Sequence, residues 1–298
     1  MKKKILKLKK ELGAVILAHN YQIPEIQDIA DFLGDSLELA RISKDLKQEI
    51  IVFCGVKFMA ETVKILSPQK KVLLSAPDAG CPLADMISPG QLIELKRKHP
   101  HAWTVTYVNT SAEIKALSDV CCASANAVEV VKNLPANEII FIPDKNLGWW
   151  VKTNVPQKKI IIWPGFCYVH QLFRLSDLDE AKRVHPDAEI LVHPECRPQI
   201  LKRTEHVFST SGMLKRAKEF SSKKFIIGTE EGLIYRLKKE NPDKDFYSLG
   251  SARICSDMKK TTLKELYQTL KTQQYEVTLP KSIIDKAKKT LKEMVRYI

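Results

Sequence analysis

No apolar run in this chain approaches the ~18 residues needed to cross a bilayer. The basic opening, MKKKILKLKKELGAVILAHN, holds only the short run AVILA, and no small-residue cleavage site follows it. Neither a membrane partner nor a signal peptide is expected, and the predicted location is the cytoplasm. Glycine is sparse, with 11 in 298 residues, while 44% of the chain is hydrophobic; fibrous and disordered classes are excluded. No two cysteines stand as CxxC, and their number, 7, is odd. That argues against a secreted disulfide scaffold and for reduced thiols, some of them metal ligands. The length exceeds one usual domain, so two or three units are expected.

A net charge of +13 invites a nucleic-acid reading, and its placement argues against one. Residues 1–10 hold six lysines and no acid, and residues 281–298 hold six basic residues against Asp285 and Glu293. The long middle is therefore close to neutral and lacks an aromatic-plus-basic signature, so no nucleic-acid partner is expected.

What the chain does have is self-similarity. AVILAHNYQ (14–22), WTVTYVNTS (103–111) and AEILVHPEC (188–196) are each a short apolar run ending in a polar knot. Each follows an amphipathic helical pattern, the signature of parallel α/β structure. Next come small hydroxyl residues at helix starts, with Ser36, Ser124 and Thr210 in matching places, and then a strand, a polar turn and a helix. A last strand in each stretch leads into a loop carrying Cys81, Cys167 or Cys255. The predicted fold is α/β: three homologous three-layer units with short parallel sheets, in pseudo-threefold arrangement around a central site. The expected units are 1–85, 86–171 and 172–258, with a C-terminal helical segment, 259–298, packing back on them.

Ligands of parallel sheets collect beyond the carboxyl ends of the strands. If those ends point inward, three thiols meet. Three thiolates suit an iron–sulfur cluster, which normally takes four, and leave one iron open as a Lewis acid. Three inert buried cysteines are the alternative for each taken singly, and zinc remains a second metal, although structural zinc closes with four ligands. Cys54, Cys121, Cys122 and Cys196 lack threefold equivalents and are expected to be structural. The knots add His19, Asn20 and Tyr21; Tyr107, Val108 and Asn109; His193, Pro194 and Glu195, enough for proton transfer near neutrality. Ser36, Ser124 and Thr210 are either helix caps or, aimed at one point, part of an anion cradle. Asn126 and Glu129 have capping-box spacing. Trp149–Trp150 and the Phe58/Met59 face are expected to pack helices.

The stretches LAHNYQIPEIQDIADFLGDSLELAR, YVNTSAEIKALSDV, SANAVEVV, PDKNLG, CYVHQ, HPEC, STSGM and GTEEGLIYRLKK together resemble the quinolinate synthase family, in order, over residues 1–297. The resemblance implies a [4Fe–4S] cluster held by Cys81, Cys167 and Cys255. It implies condensation of iminosuccinate (iminoaspartate) with dihydroxyacetone phosphate to quinolinate, phosphate and water. The implied pocket is His19, Ser36, Tyr107, Val108, Asn109, Ser124, His193, Pro194, Glu195 and Thr210. Tyr21 and Glu195 match residues that manage protons, with His193 and Tyr107 beside them as further catalytic candidates. Many relatives have Gly-His before the second cysteine where this chain has Gly165-Phe166, which removes a polar neighbour. Functional coupling to an oxidase or dehydrogenase that supplies iminosuccinate is expected. The competing readings are an iron–sulfur hydro-lyase acting on another small hydroxy-acid, and a basic nucleic-acid-binding or iron-sensing protein.

Overall fold

The computed structural model describes residues 1–297. Ile298, the last residue of the expected C-terminal segment, lies outside the described residues. Four strand–helix alternations make up the first stretch: α1 (Lys2–Glu11), β1 (Ala14–His19), α2 (Pro24–Gln27), β2 (Phe32–Gly34), α3 (Ser36–Asp45), β3 (Ile50–Cys54), α4 (Lys57–Leu66) and β4 (Lys71–Leu74). The second runs α5 (Pro89–Lys98), β5 (Trp103–Tyr107), α6 (Ala112–Leu117), β6 (Val120–Cys122), α7 (Ala127–Asn133), β7 (Glu138–Ile142), α8 (Lys145–Asn154) and β8 (Lys159–Ile162). A short α9 (Tyr168–Gln171) follows. The third runs α10 (Leu175–Val184), β9 (Glu189–Val192), α11 (Pro198–Leu201), β10 (His206–Val207), α12 (Thr210–Glu219), β11 (Lys224–Gly228), α13 (Gly232–Glu240) and β12 (Asp245–Ser248). The chain ends with α14 (Leu263–Thr272) and α15 (Lys281–Arg296).

Each stretch makes its own four-stranded parallel sheet, in the same order: β2-β1-β3-β4, β6-β5-β7-β8 and β10-β9-β11-β12. The registers repeat as well. Ala14 stands opposite Ile50, Trp103 opposite Ile139 and Glu189 opposite Phe225, the same thirty-six-residue step each time. The fold is thus α/β, with three parallel sheets, each flanked by helices.

Local chemistry explains the element ends. β1 and β3 are buried along nearly their whole length, as strands covered on both faces must be, and they read as unbroken apolar runs. α5 starts on a capping box between Ser88 and Gln91. α5 and α10 stop at His99 and His185, each followed by a proline that cannot continue a helix. Two hydroxyls at expected helix starts are not caps. Asp35 caps α3, accepting from the Leu37 and Glu38 amides, and Ser209 caps α12, accepting from Gly212. Ser36 and Thr210 are the first helical residues, so their hydroxyls are not committed to capping. The capping box expected at Asn126 does not form: its side chain accepts from the Ala123 amide instead.

The C-terminal helices fill two gaps. Leu266 and Leu270 of α14 join Ile5 of α1 beside the first sheet. Ala287, Leu291 and Met294 of α15 join Val120, Val131 and Phe141 in the core of the second. No helix among the described residues is long and apolar enough to cross a membrane.

Candidate active site

The three sheets turn the carboxyl ends of their strands onto one cavity with about 700 Å³ of space between its atoms, its opening included. His19 ends β1 and Tyr107 ends β5, while His193 follows β9 directly. Cys81, Cys167 and Cys255 all line this cavity, although 174 residues of chain separate the first from the last. Tyr21, Ser36, Val108, Asn109, Ser124, Glu195 and Thr210 line it too. Pro194 does not; it is buried in the turn that sets His193 and Glu195 apart. The other four cysteines are buried in apolar cores, away from the lining. Phe58, expected to serve packing alone, packs in the core of the first sheet and also walls the cavity.

The cysteine loops share one local structure. In each, the carbonyl of the cysteine accepts the amide four residues on: Asp85 to Cys81 at 3.2 Å, Gln171 to Cys167 at 2.9 Å, Lys259 to Cys255 at 3.2 Å. A helical turn therefore starts at every thiol, and the amide three residues on (Ala84, His170, Met258) favours the thiolate. Burial works the other way and dominates, raising all three thiols, Cys81 to about 12. Two of the loops are anchored by buried carboxylates: Asp144 accepts the Cys167 amide at 3.1 Å, and Glu230 the Cys255 amide at 3.1 Å. Phe166 lies away from the cavity lining, its ring centroid 4.6 Å from the Lys145 ammonium.

The polar groups form one connected set. The Tyr21 amide donates to His19 Nδ1 at 3.1 Å, and the Glu195 amide to His193 Nδ1 at 3.4 Å. Both neutral rings therefore carry their proton on Nε2, and that of His193 lies 3.3 Å from Ser124 Oγ. Burial lowers both histidines to about 3, His193 and Lys259 adding to the effect at His19, so both are neutral donors near pH 7. Glu195 is wholly enclosed. Burial raises its carboxyl, but His170 Nδ1 at 2.8 Å and the Tyr107 hydroxyl outweigh it and hold the group ionised. The His170 contact is too oblique to be a good hydrogen bond. His170 Nε2 lies 2.9 Å from Thr229 Oγ1, which lies 2.5 Å from the Tyr21 hydroxyl. Burial and the charge of Glu195 push Tyr21 and Tyr107 well above the usual phenol range, so both remain protonated.

His170 and Thr229 escaped the sequence reading because neither falls on a strand-end knot. Their only signals were position, in CYVHQ three residues beyond Cys167 and in the GTEEG turn after β11. Asn20, expected to face the cavity with the rest of its knot, does not line it; it donates to Thr210 Oγ1 at 3.1 Å, tying the first sheet to the third.

A family model described as quinolinate synthetase A protein matches residues 3–296. The chain belongs to the quinolinate synthase family. A quinolinate synthase of Thermodesulfovibrio yellowstonii is 53% identical over 294 residues, 99% of this chain and 97% of that one. One from Alkaliphilus metalliredigens is 52% identical, covering 98% of this chain and 96% of the relative, and one from Aquifex aeolicus is 49% identical, covering 99% and 93%. The chain is accordingly an enzyme of NAD biosynthesis acting on small molecules.

Quinolinate synthases are in general iron–sulfur dependent, and the donor set here fits such a group. Three thiols face one cavity, each with an amide that favours its thiolate, while burial makes a bare thiolate costly unless a positive centre compensates it. The ligand atoms of Cys167, His170 and Glu195 also lie within 4.8 Å of one another, but there the histidine and carboxylate already face each other.

Proposed function

We propose that this chain condenses iminosuccinate with dihydroxyacetone phosphate to give quinolinate, phosphate and water, using a [4Fe–4S] cluster held by Cys81, Cys167 and Cys255. The observation that carries the reading is the meeting of three thiols, remote in sequence, with an ionised Glu195, two protonated tyrosines and two neutral histidines in one cavity. The cluster, when bound by three protein ligands, supplies a Lewis-acidic iron that eases loss of hydroxide from carbon. Carbon, hydrogen, oxygen, nitrogen and phosphorus balance with two waters released, and no external oxidant or reductant is required.

The protein's own groups account for the rest. Among the described residues no lysine or arginine lines the cavity, so the substrate's anionic groups meet neutral donors. His19 and His193 offer Nε2–H to a carboxylate, and Asn109, whose Nδ2 lies 3.4 Å from Glu195 Oε1, offers a second amide proton. Ser36 and Thr210 present hydroxyls at the N-termini of α3 and α12, where the helix dipole favours phosphate. Ser124 adds a third. Glu195 takes the proton from the carbon next to the substrate carbonyl during carbonyl–enol isomerisation. Tyr21, linked to His170 through Thr229, returns a proton to oxygen.

The reaction runs in the cytoplasm beside an oxidase or dehydrogenase that delivers the short-lived imine. The test is an anaerobic assay of the reconstituted full chain with both substrates. Quinolinate formation that stops when either substrate is omitted is the expected result. Dehydration of a hydroxy-acid without triose phosphate, and no quinolinate, would overturn the proposal in favour of a hydro-lyase.

A further inference from the structure

Tyr21 is held by its backbone as well as by its hydroxyl. Its carbonyl accepts the Lys259 ammonium at 2.6 Å. The same carbonyl lies so close to the start of α13 that a Cβ on Gly232 would come within 2.7 Å of its oxygen, an approach that glycine permits. The side chain of the next residue, Gln22, donates to the Met258 carbonyl at 2.8 Å. Tyr21 and Gln22 belong to the knot after β1, whereas Met258 and Lys259 belong to the helical turn that starts at Cys255. The knot of the first sheet and the cysteine loop of the third therefore grip each other through two polar contacts of opposite direction.

Lys259 is fixed in turn by Glu230, whose side chain is 0% exposed. Its Oε1 faces the Lys259 ammonium at 2.8 Å and accepts the Cys255 amide at 3.1 Å, while Oε2 accepts the Gly232 amide at 2.7 Å. Burial raises this carboxyl, and the ammonium and the two amides work against that rise. Asp144, the equivalent carboxylate behind Cys167, spends its oxygens on three amides instead, those of Asn146, Leu147 and Cys167. The residues one turn beyond the three cysteines are Asp85, Gln171 and Lys259, so the third loop alone sets an ammonium against its carboxylate. Breaking a buried pair leaves the other charge uncompensated, which makes such a contact a firm tether. Resting on the reading of Cys255 as a ligand and Tyr21 as a proton donor, we infer that Glu230 and Lys259 are a positioning pair. They lock the Cys255 loop to the Tyr21 knot, so that the third thiol and the Tyr21 phenol take their places together. Lys259 lies outside the cavity lining and acts only through these neighbours.

The test follows hydrogen exchange of the metal-free full chain by mass spectrometry, over peptides covering residues 253–260 and 19–23, with β5 and β7 as reference. Lys259→Met removes the ammonium and keeps the stem; Lys259→Arg keeps the charge. The expected result is exchange ~10-fold faster in both segments of Lys259→Met, with the reference strands unchanged and Lys259→Arg close to wild type. Faster exchange in residues 253–260 alone, or in neither segment, overturns the inference. If Lys259→Met exchanges fast throughout, Lys259→Gln is read against the same outcomes; unfolding of both assigns Lys259 to general stability and overturns the inference. The reconstituted enzyme gives a second readout: iron and sulfide content near wild type, kcat ~10-fold lower and KM within about twofold for both substrates in Lys259→Met. An unchanged kcat overturns the positioning role. A wild type that makes no quinolinate sinks the functional reading instead, and exchange, which needs neither cluster nor substrate, then decides the inference alone.

Discussion

Glu195 sits where two histidines, a tyrosine and an asparagine converge, and in the proposed mechanism its worth lies in staying ionised although it is buried. An isolated buried carboxylate would take up a proton, but His170 at 2.8 Å and the facing Tyr107 hydroxyl prevent it. His19 and His193, by contrast, are held neutral by burial and fixed as Nε2–H donors by backbone amides two residues on. In the proposed mechanism the base is therefore the carboxylate, and the imidazoles hold substrate. Glu195→Gln should keep the fold and the iron and sulfide content while quinolinate turnover falls by ~10²-fold or more, the usual scale for loss of a general base. Full turnover in that variant would remove Glu195 from the proton path. The knots themselves were legible, because strand ends in parallel sheets are where polar residues interrupt apolar runs. His170 and Thr229 were not, since a chain of polar contacts from α9 through the turn after β11 to Tyr21 leaves no spacing in the sequence.

At the scale of elements, period and punctuation located strands and helices well, and the errors fell within one or two residues of helix starts. Asp35-Ser36 and Ser209-Thr210 each place two capping residues side by side, and pattern alone does not decide which one caps. The choice matters: capping by the first leaves the second hydroxyl for the cavity. Asn126 shows the reverse, its side chain taken by a local turn before the helix begins. The C-terminal helical segment was expected to pack back on the units, but an amphipathic helix does not by itself name the unit that covers it. The cover is the second sheet's core, where Leu291 is 3% exposed and Thr290 donates to the Ser118 carbonyl at 2.9 Å. Leu291→Ala should cost about 2–5 kcal/mol of stability, read from denaturant unfolding of the apo-protein. Stability equal to wild type would mean that this helix is not part of that core.

For the whole molecule, triplication is the device that brings distant residues together. One supersecondary plan, used three times with the same strand order and registers, delivers three equivalent loops to one cavity. That much followed from the sequence, because the cysteine spacing repeats with the strands. The plan is not identical in detail: two loops rest on carboxylates and the first does not, a difference visible only once β3, β7 and β11 are laid side by side. The basic ends of the chain fall largely on α1 and α15, whose buried faces pack on the first and second sheets.

The most direct measurement is iron and acid-labile sulfide per chain after anaerobic reconstitution, for wild type and for Cys81→Ser, Cys167→Ser, Cys255→Ser and Cys54→Ser. Near-stoichiometric loading of wild type and Cys54→Ser, with collapse in each of the other three, is the predicted result. Retention of a full cluster after loss of any one of Cys81, Cys167 or Cys255 would contradict the account.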